Sequence, residues 1–303
     1  MARTELFSRR QPGGQFAVID VTRAPGDIFF VSSGTGTDAA GYGLSPDTPV
    51  ATLDYAMDLC TASKGDQVIL MPGHAEALVG ATSCVLNVAG VEVIGIGNGT
   101  LQPTFTLGTA DAATISVTAA NVRISNIKII SDLADVVAGI TAANTADGLV
   151  VENCWFTDGA AAKELVIGLS VAAACDRVII RDNFFSTVDG GGCASAIKLV
   201  GATANSVIRD NYIHGDYSAA CLDGATAGGT YIHIKGNEMW NTDGAAGLAI
   251  SLHATTTGAV VNNYCLGGKD GTSAIAAAGT LVCENYGTNA AGASGLIKPA
   301  VDA

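Results

Sequence analysis

Charge is scarce in this chain of 303 residues, and what it excludes comes first. Only 14% of residues are Asp, Glu, Lys or Arg, and the 28 acids outnumber the 15 basic residues, for a net charge of −13. That balance lacks the basic stripe that DNA or RNA binding requires, so no nucleic-acid partner is expected. Long apolar runs are missing too. Despite a mean hydropathy of +0.37, Asp, Asn, Gly or Lys interrupts each stretch well before the roughly 20 residues of a spanning helix, and no membrane partner is expected. The opening MARTELFSRRQPGGQ has neither an apolar core nor a small-residue cleavage pattern, so synthesis in a cytoplasm is the expectation. None of the eight cysteines forms a C-x-x-C pair, which removes the common zinc and redox signatures. They read as reduced core fillers. Also absent are the G-x-S-x-G elbow, H-E-x-x-H and the P-loop sequence.

What is present is small and repetitive. Apolar residues make up 49% and glycines number 38, a composition that suits stacked strands joined by short turns. A β-branched run leading to Asn recurs at Asn98, Asn126, Asn153, Asn183, Asn211, Asn237, Asn263 and Asn285, in steps of 28, 27, 30, 28, 26, 26 and 22 residues. An apolar or aromatic pair follows most of them: CWF, FF, YI, EMW, YC. A period in the twenties with two or three short strands per repeat predicts an all-β fold, a single right-handed parallel β-helix. Asn has a reason to recur there: it tolerates the left-handed backbone of a tight turn, and its amide can bond the equivalent amide one rung away. The aromatic just past it can stack on its counterparts about 4.8 Å above and below. These aromatics are expected in the interior.

Coils are expected over about residues 67–286. Before them, VATLDYAMDLCTA (50–62) spaces Leu53, Ala56, Met57 and Cys60 on one helical face, with a start at Asp47-Thr48-Pro49, and predicts a short capping helix. Residues 1–27 carry Arg3, Arg9, Arg10 and Arg23 against Glu5, Asp20 and Asp27, a mildly basic segment on an acidic body, and read as an attachment arm. Residues 28–66 form the lead-in. The tail 287–303 is rich in Gly and Ala and offers little to cover the last rung, so another chain is expected to do so.

Within the lead-in, Pro49, Thr52, Leu53 and Ala56, then Gly65, Asp66, Val68, Pro72 and Gly73, follow a Pro-x-x-T-L-x-x-A helix, a Gly-Asp-x-I/V step and a Pro-Gly turn. This pattern resembles pectate-lyase-like β-helix proteins of bacteriophages, and with the coils the likeness covers about residues 28–290. The resemblance implies a virion component: a head decoration protein, tail fibre or tailspike, commonly a homotrimer. The favoured expectation is a non-enzymatic, trimeric capsid decoration protein on the particle exterior. It would be held to the major capsid protein or another virion protein through the N-terminal arm. The alternative is a tailspike or fibre that binds or cleaves host surface polysaccharide, and a free carbohydrate lyase comes third.

Two acidic sets invite a chemical reading. One precedes the repeating Asn: Glu152, Asp182, Asp210 and Glu284. The other follows it: Asp158, Asp189, Asp216, Asp243 and Asp270. Stacked carboxylates can bind calcium, for which Asp182 and Asp210 are weak candidates, or act as a glycosidase's acid and base. Arg181 and Arg209 are the local candidates for a lyase base. Turn chemistry is the preferred explanation, because Asp158-Gly159, Asp189-Gly190 and Asp243-Gly244 are ordinary turn dipeptides. No catalytic residue, metal or cofactor is assigned. His74, His214, His233 and His253 are scattered, with His214 and His233 at different offsets from their Asn.

Overall fold

The computed structural model describes residues 26–188, 190, 192–243, 247–267 and 274–288, with the backbone of strands Phe7–Arg9, Phe16–Val18 and Ser294–Ile297. It is a parallel β-helix. Sheet 1 stacks ten parallel strands from Ile28–Val31 to Leu281–Cys283. Sheet 2 runs in parallel from Ala75–Leu78 to Asn285–Thr288, and sheet 3 stacks eight strands from Val85–Leu86 to Ile275–Ala276. One coil shows the path: Ile179–Arg181 in sheet 1, Phe184–Ser186 in sheet 2, Ser195–Leu199 in sheet 3, then Val207–Arg209 one rung up in sheet 1.

Parallel strands in register bring like positions of successive coils into columns, and the inward columns are apolar. Ile124, Val151, Ile180, Ile208, Ile234 and Val260 line sheet 1; Phe105, Ile129, Phe156, Phe185, Ile213, Met239 and Cys265 line sheet 2. All of them are buried. Phe156 and Phe185 stack at 4.4 Å with planes 7° apart.

The capping helix spans Leu53–Leu59 and buries Leu53, Ala56 and Met57 over the first coil, while Cys60, just past it, is half-buried. It starts later than the Asp47-Thr48-Pro49 signal suggests. Thr52 is the N-cap, its hydroxyl accepting the Tyr55 N–H at 3.3 Å, and Asp38 holds Thr52 in turn. Beneath the helix, Glu76 accepts the Leu53 N–H at 3.0 Å and meets His74 Nε2 at 3.1 Å. His74 is thereby a tie between lead-in and first coil. The lead-in also supplies the first strand of sheet 1, since Ile28–Val31 pairs with Gln67–Leu70.

At the other end the last rung is covered in sheet 2, while Leu281–Cys283 and Ile275–Ala276 remain the final described strands of sheets 1 and 3. Ser294–Ile297 turns back antiparallel on Asn285–Thr288 and occupies the edge of sheet 2. At the N-terminus, Phe7–Arg9 pairs antiparallel with Phe16–Val18, so Arg9 ends a hairpin strand. Arg3, Arg10 and Arg23, and with them most of the predicted arm, lie outside the described residues, as do Asp189 and Asp270. No described helix is long and apolar enough to cross a membrane.

Candidate functional site

The turn between sheets 1 and 2 holds two adjacent columns that the sequence repeat had merged. The first has left-handed backbone throughout: Asn126, Asn153, Asp182, Asp210, Asn262 and Glu284 lie at φ between 53° and 56°, and Gly236 at 66°. Asn, Asp and Gly adopt this conformation with the least strain, so the column's composition follows from its geometry, Glu284 excepted. The second column, one residue on, points inward and is the amide ladder. Asn183 Nδ2 donates to Asn211 Oδ1 at 3.0 Å, and Asn211 to Asn237, Asn237 to Asn263 and Asn263 to Asn285, each at 2.9 Å. Each Oδ1 also accepts the backbone N–H of the preceding member, and each Nδ2 caps a carbonyl of the coil below, as Asn211 caps Ile180 at 3.0 Å.

The ladder therefore comprises Asn183, Asn211, Asn237, Asn263 and Asn285. Asn126 and Asn153 belong to the left-handed column instead. The inward positions of their coils are Ile127 and Cys154, and the Cys154 N–H donates to Asn183 Oδ1 at 2.9 Å. Asn98 sits in neither; it is exposed and precedes a short 3-10 turn at Gly99–Leu101. Aligning the aromatic pairs Trp155-Phe156 and Phe184-Phe185 reveals the slip, because it sets Asn153 opposite Asp182 and Cys154 opposite Asn183.

The two acidic sets dissolve in the same register. Glu152 pairs in sheet 1 with Arg181, not with Asp182. Its carboxylate is almost fully buried between cations: Arg123 Nε donates to Oε1 at 2.8 Å, Arg123 Nη2 reaches the same oxygen, and Arg181 Nη2 meets Oε2. Arg181 also lies 3.8 Å from Asp182, and Arg209 is bonded to Asp210. Each candidate calcium ligand is thus in an ion pair with the arginine that precedes it, Arg181 being shared with Glu152. No group of three or more His, Cys, Asp or Glu is arranged to hold a metal among the described residues.

Asp158, expected in a turn, instead ends a sheet 2 strand with its side chain inside. Its carboxylate accepts the Leu165 N–H at 2.9 Å and the Val188 N–H at 3.1 Å, and Cys193 Sγ lies 3.4 Å away. Burial pushes this carboxyl above its ordinary range, although the two N–H donors work the other way. It lines a cavity of about 10 Å³ together with Tyr217 and Thr187, room for about one water. Asp216 lies in a different column and accepts the Gly190 N–H at 2.9 Å.

The outer face of sheet 2 departs most from expectation. Strand alternation puts the ladder Asn inside, the next residue outside and the one after inside. The residues following the ladder position are Trp155, Phe184, Tyr212, Glu238, Tyr264 and Tyr286, one in-register column facing outward. Phe184 is 40% exposed, Tyr264 58% and Tyr286 42%. Phe184 stacks on Tyr212 at 5.1 Å, and Tyr264 on Tyr286 at 5.9 Å. Beside this column, Trp240 packs edge-on to His214 at 5.3 Å, while His233 lies on sheet 1, so the two histidines do not meet. Trp155 is oriented by its Nε1–H, which donates to Ser186 at 3.1 Å, and by Lys128, whose ammonium sits 4.1 Å from its ring centre.

Six rungs at about 4.8 Å give this stripe a length of roughly 24 Å. Alongside its lower end opens a groove of about 430 Å³. Its lining joins the rings of Trp155 and Phe184 to the amide and carboxylate groups of Gln102, Asn126, Asn153 and Asp182. Flat apolar rings beside a row of hydrogen-bonding groups suit a ligand with an apolar face and a polar rim.

No family model matches the chain, and no curated protein matches it. Among solved structures, a rhamnogalacturonan lyase superposes with a TM-score of 0.52 at 16% identity, over 87% of this chain and 74% of that one. A GH136 lacto-N-biosidase from Eubacterium ramulus is matched at 13% identity and a TM-score of 0.26, over 85% of this chain and 67% of that one. The lyase likeness is one of fold: this chain has the parallel β-helix architecture seen in a protein that acts on polysaccharide.

Proposed function

We propose that the chain binds polysaccharide lengthwise along the outer face of sheet 2, as the glycan-holding module of a phage tailspike or tail fibre, and does not cleave it. The observation that carries this reading is the outward aromatic column from Trp155 to Tyr286, with its spacing fixed by the strand register. A pyranose ring has an apolar face and a hydroxyl rim. Rings repeated along a polymer find repeated aromatic platforms here, with Gln102 and Asn153 placed for the hydroxyls. Exposed aromatics in such a file are costly to leave in water and mark a binding surface.

Binding without cleavage is read from how the acids beside the groove are held; Glu238 and Glu284, unpaired among the described residues, stand two rungs, about 10 Å, apart along the stack. A glycosidase needs two carboxyl groups free to face one bond, one of them holding a proton. Asp182 and Asp210 are each joined to an arginine, and Asp158 points into the core. Self-association as a trimer, and attachment to another virion protein through the arginine-bearing first 27 residues, belong to the same proposal.

Retention of the full chain in gels containing host surface polysaccharide tests it. Phe184→Ala and Tyr264→Ala should each weaken retention about tenfold, roughly 1.4 kcal/mol for the lost apolar contact. Unchanged retention in both variants would refute the site. Capsid decoration makes the opposite prediction, that the stripe is covered by a neighbouring subunit. In that case the same substitutions would break an oligomer on a sizing column and leave no glycan effect to find.

A further inference from the structure

We infer that the polysaccharide held on sheet 2 is a neutral one, without uronic acid or other anionic sugars. The inference rests on the glycan-binding reading above and adds the chemical class of its ligand.

The charges along the stripe carry it. Arg181 and Arg209, on the adjoining strands of sheet 1, are already engaged: Arg181 is shared between Glu152 and Asp182, and Arg209 is bonded to Asp210. Lys128 has no carboxylate partner among the described ion pairs, but its ammonium is held over the Trp155 ring at 4.1 Å, where a platform would meet a sugar face. The carboxylates are less constrained. Glu238 stands inside the aromatic column between Tyr212 and Tyr264, exposed and without an ion pair among the described residues. Glu284, also exposed and likewise unpaired, precedes the last ladder rung beside Tyr286.

A uronate polymer laid on this face would bring one carboxylate per repeat against Glu238 and Glu284, with Lys235, exposed on the sheet 1 strand before Glu238, as the one cation of that coil free of an ion pair among the described residues. The chain as a whole, at −13, adds to the repulsion. Hydroxyl groups meet no such penalty. Asn153 and Gln102 offer both donors and acceptors, Asn126 is held by Gly95, Gly97 and Gln102, and even the paired Asp182 keeps lone pairs for a sugar O–H.

The experiment compares polymers that differ in charge. The full chain is run against immobilised mannan, galactan and glucan, and against polygalacturonate in its free-acid and fully methyl-esterified forms. At low salt we expect retention on at least one neutral polymer, and at least tenfold tighter binding to the methyl ester than to the free acid. In 0.5 M NaCl, where exposed charges are screened within a few ångströms, that gap should shrink severalfold. Glu238→Gln combined with Glu284→Gln should also narrow it. Free-acid binding equal to or tighter than the ester, with Phe184→Ala still weakening it, overturns the neutral-ligand inference and leaves the glycan site standing. No retention on any polymer, or retention indifferent to Phe184→Ala and Tyr264→Ala, removes the site and this inference together.

Discussion

The substitution Cys154→Asn should extend the amide ladder by one rung, a change that would damage most buried positions. Cys154 occupies the ladder position of its coil, and its thiol lies 3.2 Å from Glu152 O and 3.9 Å from Ile124 O. Those carbonyls correspond to the Arg209 and Ile180 oxygens that Asn211 Nδ2 meets, each at 3.0 Å. A side-chain amide introduced here would find both carbonyls and the Asn183 Oδ1 above it, which now accepts only the Cys154 N–H. Two or three new hydrogen bonds at a net contribution of about 0.5–1.5 kcal/mol each, against the desolvation of one amide, predict a change between neutral and about 1 kcal/mol more stable. The reverse substitution, Asn211→Cys, removes bonds to Asn237, Asn183 and Ile180. It leaves two or three buried groups unpaired and should cost roughly 3–5 kcal/mol. Guanidinium unfolding, with amide exchange at the affected rungs, measures both, since a solenoid need not unfold in one step. Equal destabilisation by the two substitutions would refute the claim that position in the ladder, rather than side-chain volume, sets the cost.

Three further outcomes follow from the buried polar groups. Glu152→Ala leaves Arg123 and Arg181 facing each other over an emptied site, and should lower stability by roughly 2–4 kcal/mol, less than for a fully buried pair because both arginines are partly exposed. A denaturation midpoint within error of the parent would show the triad to be idle. Asp158 has a folded pKa raised above its ordinary 3.8 by burial. The folded state therefore binds the proton more tightly than the unfolded chain, so its contribution favours folding at low pH and is lost as pH rises from near 3.8 through the folded value. Asp158→Asn should flatten that part of the pH–stability curve, and an unchanged slope would assign it to other groups. Burial raises the thiols of Cys84, Cys175, Cys193 and Cys221, and holds those of Cys60, Cys154 and Cys265 too, at about 12 in the case of Cys60. At about pH 8, below even the ordinary thiol pKa, an alkylating reagent should leave these thiols largely unmodified in the native chain, with half-buried Cys283 reacting first. Fast loss of all eight would show that the coils open readily.

The fold was legible because solenoid stacking writes itself into the sequence. Every coil must present the same turn and the same inward row, so Asn211, Asn237 and Asn263 recur at 26 residues. The register was less legible. Asn serves both the left-handed turn and the amide ladder, so Asn126 and Asn153, which meet the first need, read as members of the second. The same one-residue slip aligned Glu152 with Asp182 and hid the Arg123–Glu152–Arg181 cluster. Asp158 was misplaced for another reason. Asp-Gly is a common turn pair, and only the three-dimensional path shows that Leu165, Val188 and Cys193 close over its carboxylate.

The aromatic stripe was hidden by the opposite error, one of parity. In a strand, the side on which a residue falls depends on its offset from a residue whose side is known. The ladder Asn is that reference, and it is buried. An odd offset then puts Phe184, Tyr212, Tyr264 and Tyr286 outside, and an even one puts Phe185, Ile213 and Cys265 inside. The interior rows need aliphatic and aromatic bulk whatever the protein does. Nothing in the packing of a β-helix asks for a file of exposed rings, which is why the odd offset, and not the ladder itself, bears on function.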